Sequence, residues 1–401
     1  MTPSRRMPVS RIVRIVHFAA CALLLSACMS QGPGSAAQAE RKARAEDIVR
    51  RGYQPVEHSA VESGVLPWRI DREKVPIAWT VPAGGGALPV VIYLPGLGES
   101  ADRAGEVWRR TWAQAGYAVV SVQPLEDDAT AWSSEEARAL EFKTLAAQRH
   151  SAARLQQRIV RLAAVVHEIR RRAAAGEAPW GRLDYTRMSV AGYDLGAQTA
   201  MALKGQRDAG GTIDELTEQV RALIVLSPVV LEGEGQRTRF EQMTGPVLTV
   251  TGPADVDPTG LVATRSRTIA FDLMPTGSKY ELELAGVSHA MLSGAIEVER
   301  DTQREERANG RAAPPRGGRS RQRSDGSDGE RHASEDSARP GSEQARAREH
   351  VSTGREECDA AIEVVSVAFL DASLRRQPSA QRWLDEQASQ WLQHLGTWRR
   401  R

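Results

Sequence analysis

The sequence predicts an α/β fold, a mostly parallel central sheet with helices on both faces. Seven short runs rich in Val, Ile and Leu alternate with helical patterns, and such runs are typical of strands buried on both faces. The runs lie at 75–81, 89–94, 117–122, 188–191, 222–226, 246–251 and 280–284. Apolar residues recur at spacings of three and four from Leu155 to Ile169, which predicts a packed crossover helix between the third and fourth runs.

The chain of 401 residues is long enough for one large α/β domain with additional tails. We expect this domain at 47–300 and two C-terminal helices at 356–401 that complete it by packing on the sheet. Residues 301–350 contain no large apolar side chain, so they bury too little surface to offset the entropy of ordering. We therefore predict a disordered charged insertion at 301–355, in which acidic and basic residues interleave.

The N-terminus carries the features of an export signal. Arginines precede an apolar stretch at 18–25 that is too short to span a bilayer. The stretch leads into 25–28, with the sequence LSAC, which resembles a bacterial lipobox. This resemblance implies a signal peptide at 1–27, acyl chains that anchor Cys28 to a membrane, and a tether at 28–46. An ordinary signal peptide cut before an incidental cysteine is the alternative.

Composition narrows the expected compartment and partners. Met29 rather than Asp follows the cysteine, so the resemblance implies the cell envelope, at the outer membrane facing the periplasm. Cys21 would leave with the signal and Cys28 would be lipidated, so Cys358 is expected to have no intramolecular partner. With a net charge of only +2, the chain has no overall positive field that would attract nucleic acid. No grouping has metal-ligand spacing and no glycine-rich phosphate loop occurs, so we expect no metal and no cofactor.

The most informative motif is the stretch 192–196, with the sequence GYDLG. It has the shape of the nucleophile elbow, G-x-S-x-G, with Asp194 at the serine position. An apolar run precedes it and helix-forming residues follow, which is the strand, tight turn and helix order in which this motif has meaning. The centre of the turn must tolerate positive φ, and Asp does so better than most residues other than glycine.

A second motif follows the run at 89–94. Here the stretch 94–98, with the sequence LPGLG, forms a glycine-bearing turn at the end of a predicted strand. Such a turn directs a backbone N–H toward the reaction centre. We assign the N–H groups of Leu97 and Leu195 as two oxyanion donors, which together contribute several kcal/mol to transition-state stabilisation.

An acid and a histidine follow later predicted strands. Asp255 comes after the run at 246–251, at the carboxyl edge of the sheet, where it would orient a catalytic imidazole. Asp257 is the competing candidate, although its place before Pro258 favours a turn. His289 is the histidine that comes just beyond a late strand, which favours a catalytic role for it.

These motifs together resemble the α/β-hydrolase superfamily, and more narrowly the dienelactone-hydrolase and platelet-activating-factor-acetylhydrolase-like bacterial esterases. The order nucleophile, acid, histidine is that of the superfamily. The resemblance implies an α/β-hydrolase fold, a small-molecule substrate, and catalytic roles for Asp194, His289 and Asp255. About 20 residues separate the runs ending at 226 and beginning at 246, which is too short for a large lid domain.

The chain departs from that group at two positions, which leaves three interpretations open. Asp194 replaces Ser or Cys, and Pro95 replaces the histidine often found before the first oxyanion glycine. In the first interpretation Asp194 acts as a covalent nucleophile, and the chain is then similar to haloalkane dehalogenases, fluoroacetate dehalogenases and epoxide hydrolases. Those enzymes commonly have Trp where this chain has Leu195. In the second it is a general base or poor nucleophile toward esters. In the third the protein is a non-catalytic lipoprotein that binds a small molecule or an envelope partner. The complete acid and histidine favour a hydrolase.

Overall fold

A nine-stranded sheet forms the centre of the molecule in this computed structural model, which describes residues 33–70, 72–205, 214–231, 238, 240–296 and 354–401. The strands are β1 Val61–Ile70, β2 Glu73–Pro82, β3 Leu88–Leu94, β4 Ala118–Val122, β5 Leu183–Tyr193, β6 Val220–Leu226, β7 Val247–Thr251, β8 Lys279–Leu284 and β9 Gly396–Arg400. Their order is β1-β2-β4-β3-β5-β6-β7-β8-β9. From β4 to β8 all neighbours pair in parallel, whereas β1, β2 and β9 pair antiparallel at the two edges.

Helices connect most of these strands. The main ones are α1 Pro33–Arg51, α2 Glu106–Gln114, α3 Phe142–Arg149, α4 Ala152–Ala174, α5 Leu195–Ala202, α6 Asp214–Gln219, α7 Arg355–Leu374, α8 Pro378–Arg382 and α9 Ala388–Leu392. A π-helical turn at Trp383–Gln387 joins the last two. Short helices occur at Glu126–Ala129, Glu135–Arg138, Ile269–Leu273 and His289–Leu292, and 3₁₀ turns at Ala131–Ser133, Trp180–Arg182, Thr264–Ser266 and Gln393–Leu395. None of the helices within the described residues is long and apolar enough to cross a membrane.

The sheet is covered by helices on both faces, and the strand β3 illustrates this. Because successive side chains of a strand point to opposite faces, Val91 and Tyr93 lie in a different apolar cluster from Val90 and Ile92. The first cluster includes residues of α2 and α7, and the second includes residues of α4 and α5. Both faces of the central strands are therefore buried, which confirms the predicted α/β class and its mostly parallel sheet.

The seven predicted strands are all present, and the structure adds one strand at each edge. No apolar run marks β1, because Gly64 and Pro67 interrupt it and because most of its residues are at least partly exposed. The strand β9 is short and has no fully buried residue. It pairs with β8 from Gly396 opposite Leu284 to Arg400 opposite Tyr280. Edge strands such as these lack the continuous apolar run that marks the central strands.

The N-terminal segment differs from the expected tether in the part that the structure describes. Its helix α1 begins at Pro33, and its sequence is rich in Ala, Arg and Glu, which are strong helix formers. It contacts α7, where Arg44 Nε lies 2.5 Å from Glu357 Oε1. The Trp391 indole N–H also donates to the Ile48 carbonyl at 3.2 Å. The residues from about Arg44 onward are thus part of the folded body.

Several expectations lie outside the described residues. The signal peptide at 1–27 and the lipidation site Cys28 fall there, as does nearly all of the charged insertion predicted at 301–355. Described structure resumes at Gly354, and α7 begins at Arg355. The predicted C-terminal helices at 356–401 are present, and apolar residues of α7 such as Phe369 pack in the same cluster as β6 and β7. Cys358 is a buried free thiol.

Candidate functional site

Asp194 occupies a tight turn between β5 and α5. Its backbone has φ 48° and ψ −109°, a conformation that side-chain-bearing residues seldom adopt. The two flanking glycines permit the close approach of strand and helix, since a Cβ on Gly192 would lie 2.2 Å from the Gly196 carbonyl oxygen. A Cβ on Gly196 would lie 2.0 Å from the Leu94 carbonyl oxygen. The turn therefore has the strained strand-to-helix geometry that presents a central side chain at the edge of the sheet.

The loop after β3 supplies one of the two predicted oxyanion donors. The Leu97 N–H donates to Asp194 Oδ2 at 3.2 Å. The loop is fixed from two sides, because Gln123 Nε2 donates to the Gly96 and Glu99 carbonyls and the Gly98 N–H donates to the Asp128 carbonyl at 2.8 Å. The Leu97 N–H is therefore already engaged in a hydrogen bond, and its acceptor is the Asp194 carboxylate itself.

The second predicted donor, Leu195, begins the helix α5. Its N–H is one of the first-turn amides of a helix, which have no acceptor within the helix. Such amides carry the positive end of the helix dipole and favour an anion near them. The position of Leu195 directly after Asp194 thus fits the predicted role.

His289 and Asp255 come together as the sequence predicted. His289 Nδ1 lies 2.8 Å from Asp255 Oδ1. Because a carboxylate only accepts hydrogen bonds, Nδ1 carries the proton in this contact, and Nε2 is left as the base of the ring. Asp255 is fully buried, and its oxygens also accept hydrogen bonds at 2.9 Å from the hydroxyls of Ser227 and Thr251.

A buried arginine completes this pair. Arg267 Nε lies 3.1 Å from Asp255 Oδ2, and both side chains are fully buried. The same guanidinium donates to the backbone carbonyls of Ser227 and Pro228. Arg267 thus balances the charge of Asp255 and ties it to the end of β6. Sequence analysis did not single out Arg267, since nothing in the local pattern marks an arginine that pairs across the fold.

Asp257, the competing candidate for the acid, has a structural role. Its carboxylate accepts the backbone N–H groups of Thr259 at 2.9 Å and Val262 at 2.7 Å. These contacts are those of a turn, as the sequence indicated. Asp257 also lines the cavity described below, but the contact with His289 belongs to Asp255.

A second histidine lies beside Asp194. His150 is buried, and its Nε2 lies 3.9 Å from Asp194 Oδ1. Its Nδ1 lies 3.2 Å from Gln198 Oε1, and the orientation of this amide is set because Gln198 Nε2 donates to the His150 carbonyl. His150 therefore donates from Nδ1 and turns Nε2 toward Asp194. Sequence analysis missed it because it follows α3, away from any predicted strand end.

Asp194, His289 and His150 line one cavity of about 240 Å³. Its walls include Leu97, Glu99, Trp132, His150, Tyr193, Asp194, Asp257, Pro258, Thr259, His289, Ala290 and Ser293. The ring centroids of Tyr193 and His289 are 5.1 Å apart, and the Tyr193 hydroxyl donates to the His289 carbonyl at 3.0 Å. In the described part of the chain, no hydrogen bond joins His289 to Asp194. The two side chains instead border a shared space large enough for water and a small organic molecule.

The surroundings of Asp194 favour its charged form. Burial alone would raise the pKa of this carboxyl. The charges of His150, His289 and Arg267 oppose burial, and the Leu97 N–H adds a hydrogen bond, so the pKa of Asp194 is lowered. Burial lowers the pKa of His150, although the neighbouring Asp194 opposes the shift. The site therefore holds an anionic carboxylate at the turn.

The comparisons with known proteins give no independent guide to this site. No protein-family model matches the chain, and no curated protein matches it at a significant level. Within the described residues, no group of three or more His, Cys, Asp or Glu side chains is arranged to hold a metal ion. The chemistry of the site therefore has to be inferred from its geometry.

Proposed function

We propose that this protein is a hydrolase of the α/β-hydrolase fold in which Asp194 is the nucleophile and forms a covalent ester with a small electrophile. One observation carries this proposal: an anionic Asp194 at the strained turn and His289, which is paired with Asp255, line the same cavity. Among the described residues, His289 makes no hydrogen bond to Asp194. A serine nucleophile needs the histidine as its direct base, whereas a carboxylate is already charged.

The fold assignment is supported by where each group lies along the sheet. The elbow follows β5, the Leu97 donor lies in the loop after β3, and Asp255 and His289 follow β7 and β8. An elbow with an N–H from the loop after the third strand, followed in the chain by an acid and a histidine, is the arrangement of α/β-hydrolases.

The first step forms the ester. Asp194 Oδ2 is held by the Leu97 N–H, so Oδ1 is the oxygen that attacks. Its lone pair forms a bond to an electrophilic carbon of the substrate, and the bond from that carbon to the leaving group breaks, with its electron pair on the leaving group. The product is a neutral alkyl ester of Asp194. Orientation in a small cavity supplies much of the rate of such a step.

The second step hydrolyses the ester. His289 Nε2 takes a proton from water, and the hydroxide oxygen adds to Asp194 Cγ. The positive imidazolium is stabilised by Asp255 through the 2.8 Å contact. The new oxyanion lies at the Leu97 and Leu195 N–H groups, which stabilise it. The C–O bond to the substrate then breaks, and His289 returns its proton to the departing alkoxide. The Asp194 carboxylic acid formed in this way releases its own proton to solvent, which restores the carboxylate.

Carboxylic esters fit this site less well. Attack of Asp194 on an acyl carbon would produce a mixed anhydride, which is a high-energy intermediate. The Leu97 donor is already engaged by Asp194 Oδ2, and a substrate oxyanion there would meet a carboxylate at close range. The site is thus better suited to attack at a saturated carbon.

We further propose that the protein acts in the cell envelope, held at a membrane by acyl chains on Cys28. The lipobox-like stretch at 25–28 and the preceding basic and apolar segments support this location. Labelling of the full chain with a palmitate analogue, with Cys28→Ser as the control, would test it. Equal labelling of both proteins would exclude lipidation at this cysteine.

The catalytic proposal is tested by trapping the ester. In a His289→Gln protein the first step remains and the second is blocked, so incubation with small alkyl halides or epoxides should leave an adduct on Asp194 detectable by peptide mass. The variant Asp194→Asn should form no adduct and should have no turnover. Asp257→Asn serves as a matched control, because Asp257 lines the same cavity but is engaged by backbone amides.

The opposite outcome would favour the binding protein considered above. If neither the parent nor His289→Gln forms an adduct or turns over esters, halides or epoxides, Asp194 is a polar anchor in a non-catalytic cavity. Binding of a small molecule or envelope partner that is lost in Asp194→Asn would then identify that role.

A further inference from the structure

A second carboxyl group lines the cavity, and the proposed mechanism has not used it. Glu99 lies at the end of the loop that carries Leu97, and it borders the same space as Asp194 and His289. Its Oε2 accepts the backbone N–H of Gly96 at 2.8 Å. Its other oxygen, Oε1, has no hydrogen-bond partner among the residues that the structure describes. A carboxyl held by one oxygen at the wall of a cavity leaves the other oxygen available to a substrate.

The position of Glu99 is fixed by the fold. Its backbone N–H donates to the Gly96 carbonyl at 3.3 Å, and its own carbonyl accepts Gln123 Nε2 at 3.1 Å. The same glutamine also holds the Gly96 carbonyl. One short turn therefore presents both the Leu97 N–H to Asp194 and the Glu99 carboxyl to the cavity. Such preorganisation is what proton transfer within a site requires.

We propose that Glu99 is the proton donor of the reaction, so that the site takes small electrophiles whose leaving atom is oxygen. This inference rests on the proposed function, in which Asp194 attacks carbon. When the carbon–oxygen bond breaks, its electron pair takes the proton from Glu99, giving a hydroxyl group, an ester on Asp194 and a Glu99 carboxylate. Glu99 regains a proton from solvent before the next turnover. A halide leaves without a proton and would draw no benefit from this acid.

The electrostatics of the cavity are consistent with a protonated Glu99. Burial raises the pKa of Glu99 to about 7, the Gly96 N–H and the charge of His289 lower it, and the charge of Asp194 raises it. The phenols of Tyr93 and Tyr193 also lie near, and burial raises the pKa of both well above the ordinary value. Asp194 and Glu99 thus have pKa values shifted in opposite directions, a pattern that separates a nucleophile from an acid.

The test compares two probes of similar size in the trapping background. Propylene oxide requires a proton on its leaving oxygen, whereas 1-bromopropane does not. In His289→Gln protein, the rate at which each probe alkylates Asp194 would be measured by peptide mass, with and without Glu99→Gln. A glutamine can still accept the Gly96 N–H through its carbonyl oxygen, so the turn is retained, but its amide is not an acid. Glu62→Gln, at an exposed position on β1, is the matched control.

We expect Glu99→Gln to lower the ratio of the oxide rate to the bromide rate by about 10²-fold or more, as for loss of a general acid. Without that substitution, the oxide rate should fall with rising pH, by about tenfold per pH unit once Glu99 is mostly ionised, while the bromide rate stays level, since only the oxide needs protonated Glu99.

Two outcomes would overturn the proposal about Glu99 alone. One is an adduct from both probes with an unchanged rate ratio, and the other is an oxide rate that is level between pH 6 and 9. A uniform loss with both probes, accompanied by a lower unfolding temperature, would assign Glu99 a structural role only. Absence of any adduct in the His289→Gln protein would instead contradict the proposed function itself.

Discussion

Asp194 sets the character of the site in two separate ways, through the conformation of its backbone and through the charge of its side chain. The turn at Asp194 needs a positive φ and a glycine on either side, and the GYDLG motif predicts both features. The proposed chemistry depends on the Asp194 carboxylate, whose pKa is lowered by groups that are distant in sequence. Sequence patterns predicted Asp194, Asp255 and His289 because each stands at the end of a recognisable strand. Glu99 follows β3 directly after the LPGLG motif but carries no signal of its own, and His150 follows the helix α3, so only the folded chain shows that they reach the cavity.

Replacing Asp194 with serine should convert the site toward ester hydrolysis. Serine has no second oxygen to occupy the Leu97 N–H, so this donor becomes available to a substrate oxyanion. His289, oriented by Asp255, is then the base that serine needs. Hydrolysis of p-nitrophenyl acetate should be at least about tenfold faster for Asp194→Ser than for the parent. A rate equal to that of Asp194→Ala would show that His289 cannot reach the turn.

Removing the buried arginine behind the acid should destabilise the fold. Arg267→Met would leave the carboxylate of Asp255 buried with fewer partners, and breaking a buried ion pair in this way costs about 3–5 kcal/mol. Denaturant unfolding at pH 7 would measure the loss. Arg110→Met is the control, because Arg110 is exposed on α2 and its replacement should change the free energy of unfolding by less than about 0.5 kcal/mol. Equal stability of parent and Arg267→Met would contradict the structural role assigned to this residue.

At the scale of elements, the site depends on the close packing of α5 against β3.

Central strands were predictable because both of their faces are buried, which requires continuous apolar runs. The edge strands β1 and β9 were not, since their register follows from pairing with β2 and β8 and their own sequences carry no such run. The helix α1 was interpreted as a tether because its polar sequence does not reveal its contacts with α7.

A single methyl group at the elbow should separate these elements. In Gly196→Ala the new Cβ would lie 2.0 Å from the Leu94 carbonyl oxygen, so α5 must shift away from β3. We expect a loss of about 2–4 kcal/mol in the free energy of unfolding and loss of adduct formation at Asp194. Gly84→Ala, where a Cβ meets nothing within 4 Å, should be neutral in both measurements. A stable and active Gly196→Ala protein would show that this approach is not required.

At the scale of the whole molecule, the last strand, β9, joins the edge of the sheet through a contact between its Arg399 and a buried glutamate of β8, Glu281. Glu281 on β8 is opposite Arg399 on β9, whose Nε lies 2.6 Å from Glu281 Oε2. Burial raises the pKa of Glu281 to about 7, although Arg399 opposes the shift. The folded state therefore favours protonated Glu281. This contribution to stability is fully present below the ordinary value of 4.5 and is lost as pH rises through about 7.

Glu281→Gln should remove this pH dependence. A neutral amide resembles the protonated acid, so parent and variant should unfold with similar free energies at pH 4. Above pH 7 the variant should be more stable by up to about 3 kcal/mol, the equivalent of the shift in pKa. Chemical unfolding from pH 4 to pH 8.5 would measure the difference, with Glu283→Gln on the same strand as the control. A difference between parent and variant that does not grow with pH would contradict this account.

If Cys28 carries acyl chains, as we propose, the docking of α1 on α7 limits how far the body can move from that anchor. Only four residues separate Cys28 from Pro33, where α1 begins, and the five fully extended steps between these two residues cover about 18 Å. By Arg44 the chain is already held by Glu357. A hydrolase of the proposed kind, attached in this way, would work close to the bilayer surface, where apolar electrophiles partition and accumulate. Its cavity would draw on that local supply rather than on the surrounding water.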